Sequence, residues 1–457
     1  MKREFFKTML LYFLVIISLF LTVNIWSGKE LWSHDYSSFV YSARNFFNKK
    51  DSRVYMSKDS VQTSECYGIK WIALSSESKK SVSYLGEESY NVFSEFLSLL
   101  KSDITKAGTV SLVEHDDFIN IFKGNGICAK FSTDISLVDY FKCDEAFFDD
   151  VKQPYSDIVF LSIPIDSNAT KYLYFSDKKT KQNYRLPVKY TNEKLSNELS
   201  KLVKISGVSD SFSFELNFDK KIAGVERILL DSLVPVSLSE KNVRALDVQA
   251  VSYDSSGDIY DSVFRAFNIK KNSARSYTDA DGVTGFIENY ATLRVFKNGY
   301  FQYETDVNYE GLPLGEGDNA IKAIAFANNI YKGCVETRAF LCLEKSYEEN
   351  GVTTYEFSYS TPWGSLYSTF GSCATMKVEN GNIIFYKQLL LDISVSERNA
   401  DVGSLLNAYD EMYNSDLPKT KSRFSIVDLY PVNVYKNDGK VEQKWCFEFS
   451  DGSYEFL

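Results

Sequence analysis

Uncharged residues run without a break from Thr8 to Gly28, with Lys2, Arg3 and Lys7 ahead of them and Lys29 and Glu30 behind. At 1.5 Å per residue such a run reaches ~31 Å, about one bilayer core, and predicts a single membrane-spanning helix. The basic residues on its N-terminal side place the start of the chain in the cytoplasm and everything after Gly28 outside the cell membrane. A cleaved signal peptide is the alternative. Its apolar stretch is shorter, however, and Val23-Asn24-Ile25-Trp26-Ser27-Gly28 sets bulky side chains where a cleavage enzyme needs small ones. Ser18 and Thr22 are four residues apart, so they share a helix face on which small hydroxyl side chains admit a second helix, and Trp26 sits at the outer interface. These three are the candidate partner-contact residues. The alternative for the hydroxyls is hydrogen bonding to their own i−4 carbonyls.

Beyond the helix, residues 29–53 are polar and aromatic by turns and read as a juxtamembrane connector. An N-terminal extracytoplasmic domain is expected over 54–190. Its clearest element is a helix from Glu87 to Lys101, where Tyr90, Phe93, Leu97 and Leu100 recur at three- and four-residue steps. Strands are predicted at Thr109–Val113, Asp157–Ile165 and Lys171–Phe175. Leu195, Leu199 and Leu202, with Asn192 as N-cap, open a middle domain over 191–311. Alternation predicts a strand over Phe212–Phe218, and Tyr260–Phe267 reads as a short helix.

An internal repeat follows. Ser276-Tyr277-Thr278, Gly282, Ala291-Thr292-Leu293-Arg294-Val295 and Asn298-Gly299 recur as Ser358-Tyr359-Ser360, Gly364, Ala374-Thr375-Met376-Lys377-Val378 and Asn380-Gly381, at offsets of 82 or 83. Asn-Gly between alternating apolar runs predicts a two-residue type I′ hairpin in each copy. Helical faces follow both, at Ile321, Ile324, Ala327 and Tyr331 and at Leu405, Tyr409 and Met412. The pattern predicts two units of one fold, the second inside a C-terminal domain over 312–457 that ends in strands around Trp445, Phe447 and Phe449. Chance likeness between two hairpins is the competing explanation. The fold class expected is α+β: one transmembrane helix and three extracytoplasmic domains.

Composition adds two constraints. Aromatic residues make up 15% of the chain, which favours sheet. The net charge is −10, of which the first seven residues hold +2, leaving −12 beyond the membrane and repelling nucleic acid and anionic lipid. The seven cysteines form no CxxC. Their odd number outside the cell leaves at least one free thiol or an intermolecular bond, and both a Cys334–Cys342 pair and buried unpaired thiols are consistent with the spacing.

The opening segment, through Lys7-Thr8, Leu14-Val15, Ser18-Leu19, Leu21-Thr22 and Ile25-Trp26, resembles the start of the YycH family. The repeat is what that family's related middle and C-terminal domains would leave in a sequence. Members are single-pass membrane proteins of low-GC Gram-positive bacteria. With a smaller relative, YycI, they regulate the essential sensor histidine kinase WalK (YycG), partly through contacts among transmembrane helices. The resemblance therefore implies a non-enzymatic regulator of a two-component system in cell-wall homeostasis, with a WalK-like kinase and a YycI-like protein as partners. The cysteine count departs from the family, whose members as a rule carry few.

Residues that could carry catalysis or bind a metal are sparse. Of the two histidines, His34 lies in the connector and His115 beside Asp116 and Asp117, with no nucleophile elbow in the chain. Asp279, Asp281, Gly282 and Glu288 fit positions 3, 5, 6 and 12 of a calcium loop, but Tyr277 occupies position 1 and the Gly364 copy has no acids, so a hairpin turn is the expectation. No catalytic, cofactor or metal residue is assigned. The alternative to a regulator is an anchored surface receptor or enzyme acting on a cell-wall ligand, recognisable by a deep pocket with perturbed carboxylates.

Overall fold

The computed structural model describes residues 68–457 apart from 191–209, 217–228 and short stretches of connecting loop. The expected membrane helix with Ser18, Thr22 and Trp26, the connector, Cys66 and the helix expected at 195–202 lie outside the described residues. Among the described residues, no helix is long and apolar enough to cross a membrane.

The first sheet is built from β1 (Ile69–Ser76), β2 (Lys79–Tyr84), β3 (Thr105–Lys106), β4 (Ser111–Val113), β5 (Gly126–Ser136), β6 (Tyr155–Ser162), β7 (Lys171–Asp177) and β8 (Gln182–Lys189). Its order is β2-β1-β5-β6-β7-β8-β3, with β4 also on β8, and every pairing is antiparallel. Between strands lie helices α1 (Glu88–Asp103), α2 (His115–Ile121) and α3 (Leu137–Phe141). The amphipathic face expected of α1 is buried at Tyr90, Phe93, Leu97 and Leu100 and joins Ile72 and Leu74 in one core. Successive strand residues point to opposite faces, so Trp71 and Ala73 enter a second core on the far side. A sheet covered on both faces loses its polar alternation, and β1 carries four apolar residues in succession, Trp71 to Leu74.

After β8 come the short strands β9 (Ser211–Phe212), β10 (Leu229–Leu230) and β11 (Pro235–Val236), then the long β12 (Asn242–Ala250) and helix α4 (Asp261–Ala266). The strand expected over 212–218 stops after Phe212. The Glu215 carboxylate accepts a hydrogen bond from the Phe212 amide at 3.0 Å and closes a 3-10 turn over Ser213–Glu215. Local capping thus overrides the alternation.

The remaining strands are β13 (Arg275–Thr278), β14 (Thr284–Glu288), β15 (Ala291–Val295), β16 (Tyr300–Thr305), β17 (Leu312–Pro313), β18 (Phe340–Glu349), β19 (Val352–Thr361), β20 (Gly364–Ser368), β21 (Ala374–Glu379), β22 (Asn382–Leu389), β23 (Leu391–Asp401), β24 (Ser425–Tyr435), β25 (Val441–Phe449) and β26 (Tyr454–Phe456). Helix α5 (Asn319–Cys334) precedes β18, and α6 (Leu405–Asn414) and α7 (Leu417–Lys421) precede β24. Fourteen strands form one sheet along the path β13-β14-β15-β16-β22-β21-β19-β20-β24-β25-β26, with β18 on β19, β17 on β22 and β10 on β24. Strands β12 and β23 make a separate ribbon.

The repeat appears as two antiparallel meanders, β13–β16 and β18-β19-β21-β22, joined edge to edge through β16 and β22. Tyr303 and Tyr386, equivalent at an offset of 83, face each other directly in that pairing. Gln302 faces Lys387 and Glu304 faces Phe385, so each pair maps onto the other under the same offset. That is the register of a local two-fold axis through the Tyr303–Tyr386 pair. A helix precedes each meander and packs on it. Phe264 of α4 meets Phe286 with ring centroids 4.8 Å apart, and Asn328 of α5 exchanges hydrogen bonds with the Leu341 backbone at 2.7 and 2.8 Å.

Two details differ from the sequence expectation. In the second copy Asn380 and Gly381 both have positive φ, 49° and 77°, as a type I′ turn requires. In the first, Phe296 and Tyr300 close a three-residue loop in which Gly299 alone is left-handed, at φ 85°. The second copy takes up the extra residue as a bulge in β22, where the β21–β22 register shifts between Lys377 and Val378. This explains why the offset slips from 83 to 82 at Asn-Gly and returns to 83 at the tyrosines. The Ser-Tyr-Thr and Ser-Tyr-Ser segments are not equivalent: Tyr277 lies on the outer strand β13, whereas Tyr359 lies on β19, which pairs with β21 as β14 pairs with β15.

The described residues pack as one compact unit. The second core lies between the first sheet and β24–β25, where Trp71, Phe160 and Phe212 meet Trp445 and Phe447. Tyr84 and Trp445 pack edge-on at 5.9 Å.

Candidate functional site

The residues singled out from the sequence do not come together. Ser18, Thr22 and Trp26 lie outside the described residues. His115 is exposed at the start of α2. In the loop with calcium-like spacing the Asp279 carboxylate accepts from the Val283 amide at 2.8 Å and closes the turn, while Glu288 accepts from the Lys270 amide at 2.5 Å and ties β14 to the loop after α4. Cys334 is a free thiol, so the Cys334–Cys342 bond does not form. Burial pushes the Cys334 and Cys373 thiols up to about 12.

What the fold brings together instead is a set of buried charges where the first sheet meets the C-terminal strands. Lys70 sits in β1 between Ile69 and Trp71 and is 6% exposed. An ammonium buried there needs partners, and β24 and β25 supply them. Its Nζ pairs with Glu448 and lies 4.0 Å from Asp428, whose other oxygen accepts from Trp71 Nε1 at 2.9 Å. The Tyr430 ring lies 4.7 Å from the same ammonium. On β5, Lys130 pairs with Asp157 at 2.5 Å. Burial alone would drive the Lys70 pKa down, but Glu448, Asp428 and Glu344 overcome it and hold it above the ordinary lysine range. Lys130 is likewise raised, because Asp157 and Asp428 outweigh its burial. Burial raises Asp428 in turn, against the pull of Lys70 and Lys130.

Beside this cluster lies a half-open cavity of about 390 Å³, bounded by the β18–β19 ladder, the loop from β20 to β21, and β26. Strand β19 pairs with β20 over its last residues and with β21 over its first, and the two diverge around Thr369–Cys373. The cavity occupies that fork. Glu344, Ser358, Tyr367, Cys373, Tyr454 and Phe456 form much of its wall. Glu344 Oε1 accepts from the Ser358 hydroxyl at 2.6 Å. Burial pushes the Glu344 carboxyl above the usual range, opposed by Lys70 and by Ser358.

Sequence reasoning missed every member of this arrangement. The available signal was a charge set among apolar neighbours, as in Ile69-Lys70-Trp71, Leu343-Glu344 and Val427-Asp428-Leu429. Among the described residues no group of three or more His, Cys, Asp or Glu side chains is placed to hold a metal.

Fold and site together define a sheet-rich α+β protein in which the terminal strands of the chain close a small, mostly apolar cavity. The structure is similar to the crystal structure of YycH from Bacillus subtilis, with a TM-score of 0.60 and 10% sequence identity over 88% of this chain and 99% of that one. At that identity the likeness is one of fold. No protein-family model matches the sequence, and no curated protein matches it.

Proposed function

We propose that this chain is a membrane-anchored, non-enzymatic regulator of a sensor histidine kinase of the WalK type, acting beside a YycI-like protein. The observation that carries the reading is the YycH-like fold, which extends over 99% of that protein's chain. The opening segment supports it independently, through the run from Thr8 to Gly28 and its Ser18, Thr22 and Trp26 positions. Under this reading the helix packs beside those of the kinase and the YycI-like protein, and the extracytoplasmic part biases which packing is populated. A regulator can shift the kinase only by its difference in affinity for the two states, so helix contacts must differ between them.

The test is crosslinking with mass spectrometry in native membranes, comparing the full chain with one whose residues 8–26 are replaced by an unrelated apolar helix. Capture of a sensor kinase and a small anchored protein by the first, and their loss from the second, is the expected result. Equal capture by both would move the function into the folded region. As a finer test, Ser18→Leu with Thr22→Leu should change kinase output at equal protein level; unchanged output removes the helix-face role.

A further inference from the structure

Strand β13 ends the fourteen-stranded sheet, and no described strand pairs with its outer side. The Asp279 amide donates to the Val283 carbonyl at 3.1 Å and continues the β13–β14 ladder one pair beyond Thr278. Hydrogen-bonded pairs alternate along an antiparallel ladder. Arg275, Tyr277 and Asp279 therefore direct their backbone groups to β14, and the N–H and C=O of Ser276 and Thr278 point outward. An edge of this kind is a template for another strand.

The side chains say which strand fits. Arg275, Tyr277 and Asp279 share one face and are all exposed, Tyr277 by 42%. Their order of basic, tyrosine, acidic is its own complement when reversed. In an antiparallel pair of two β13 strands centred on Tyr277, Arg275 of each copy faces Asp279 of the other and Tyr277 faces its equivalent, while Ser276 exchanges backbone hydrogen bonds with Thr278. Centring on Ser276 or Thr278 instead sets a charge against Tyr277, and in-register parallel pairing sets like charges side by side.

The internal repeat carries the same order. Pairing runs Tyr277–Gly285–Arg294 in the first meander and Tyr347–Thr354–Lys377 in the second, and Arg294 and Lys377 are equivalent at the offset of 83 that relates Tyr303 to Tyr386. Strand β18 is therefore the counterpart of β13, and its Lys345, Tyr347 and Glu349 repeat the order at an offset of 70. There the Lys345 ammonium donates to the Gly452 carbonyl, so the β25–β26 turn engages that edge. On β13 the Tyr277 ring lies over Gly285, where a Cβ would come within 2.3 Å of it, and the outer edge is left clear.

We propose that β13 is a self-docking edge: two copies of this chain pair antiparallel through residues 275–279 and continue the sheet across a two-fold axis at Tyr277. So short a strand pair covers far less than the ~1,200–2,000 Å² of a stable complex, and the dimer therefore forms and dissociates with concentration. The inference stands apart from the regulatory reading, because it concerns only the chain's contact with itself.

The test is sedimentation equilibrium of the purified full-length chain in density-matched detergent at low salt, over a concentration series up to about 1 mM. The unaltered chain should dimerise. Arg275→Asp sets acid against acid and Asp279→Arg sets base against base, so each alone should weaken the dimer about tenfold. An equimolar mixture of the two variants should associate within about threefold of the unaltered chain, because each supplies the charge the other lacks. Ser276→Pro removes an outward N–H without touching the β14 ladder, and should abolish the dimer while the unfolding temperature stays within a few degrees. A monomer throughout the series, association indifferent to all three substitutions, or a mixture no tighter than either variant alone would each overturn the proposal. Should Asp279→Arg disturb the turn it closes, Arg275→Asp and Ser276→Pro decide the question, and a dimer that survives both refutes it.

Discussion

Replacing Lys70 with Met keeps most of the side chain's length and removes the ammonium that Glu448 and Asp428 share across the junction of the two sheets. Lys70 is 6% exposed and Asp428 1%, so water does not take the ammonium's place at Asp428, while Glu448, 17% exposed, keeps some contact with solvent. Breaking a buried pair by deleting one partner costs about 3–5 kcal/mol, because the surviving charge is left uncompensated. The loss should appear as a lower urea midpoint with little change in slope, since the surface exposed on unfolding is the same. A double variant, Lys70→Met with Glu448→Leu, should recover more than half of the loss, because one orphaned carboxylate goes with its partner. The pH dependence has a definite sign. Burial already raises the Asp428 carboxyl, and without Lys70 it rises further. A carboxyl raised in the native state holds its proton after the unfolded chain has released it. Stability therefore falls as pH rises from the unfolded value near 3.9 through the raised native one. The Lys70→Met deficit should be widest near pH 7 and narrow towards pH 4. A deficit below about 1 kcal/mol at pH 7, or one that widens on acidification, would refute the reasoning.

Three further expectations follow from local geometry. Asn380 is left-handed and Asn298 is not, so Asn380→Ala should cost about 1 kcal/mol more than Asn298→Ala in denaturant unfolding. Gly86 has φ 101°, and a Cβ there would lie 2.4 Å from the Trp363 carbonyl oxygen, so Gly86→Ala should cost about 3 kcal/mol in the same assay. Burial, helped by Lys142, pushes the Lys101 ammonium down to about 8, so a carbon-13-methylated Lys101 should titrate near pH 8. Because the native state then releases this proton before the unfolded chain does, its contribution to stability should grow between about pH 8 and 10.4.

The sequence was most legible where one helix face alone is buried. Tyr90, Phe93, Leu97 and Leu100 announce α1, because a solvent-facing side keeps the 3.6-residue period visible; α5 showed through Ile324, Ala327 and Tyr331 although Phe326, Asn328 and Ile330 are buried as well. The two Asn-Gly turns were legible as turns but not by type, since the choice between two residues and three depends on where the bulge in β22 falls. Strands covered on both faces gave weaker signals, and the pairing of β16 with β22 joins segments about 80 residues apart with nothing local to declare it. The cavity was illegible for the same reason: Glu344 and Tyr454 lie 110 residues apart and meet only when the chain's last strand closes over β18 and β19. Even Phe212–Phe218, a clean alternation, yielded to a single carboxylate from Glu215.

The two-fold seam between β16 and β22 has a consequence for how the two halves hold together. An isologous contact between separate chains comes apart on dilution, but here residues 306–381 connect the paired strands, and the partner is always present at an effective concentration on the order of millimolar or above. The seam can therefore be weak by the standard of a true dimer and still stay shut at any protein concentration. That tether also permits the halves to diverge. Only the second meander carries the β20 branch that reaches β24, so one half is joined to the end of the chain while the outer edge of β13 stays open among the described strands.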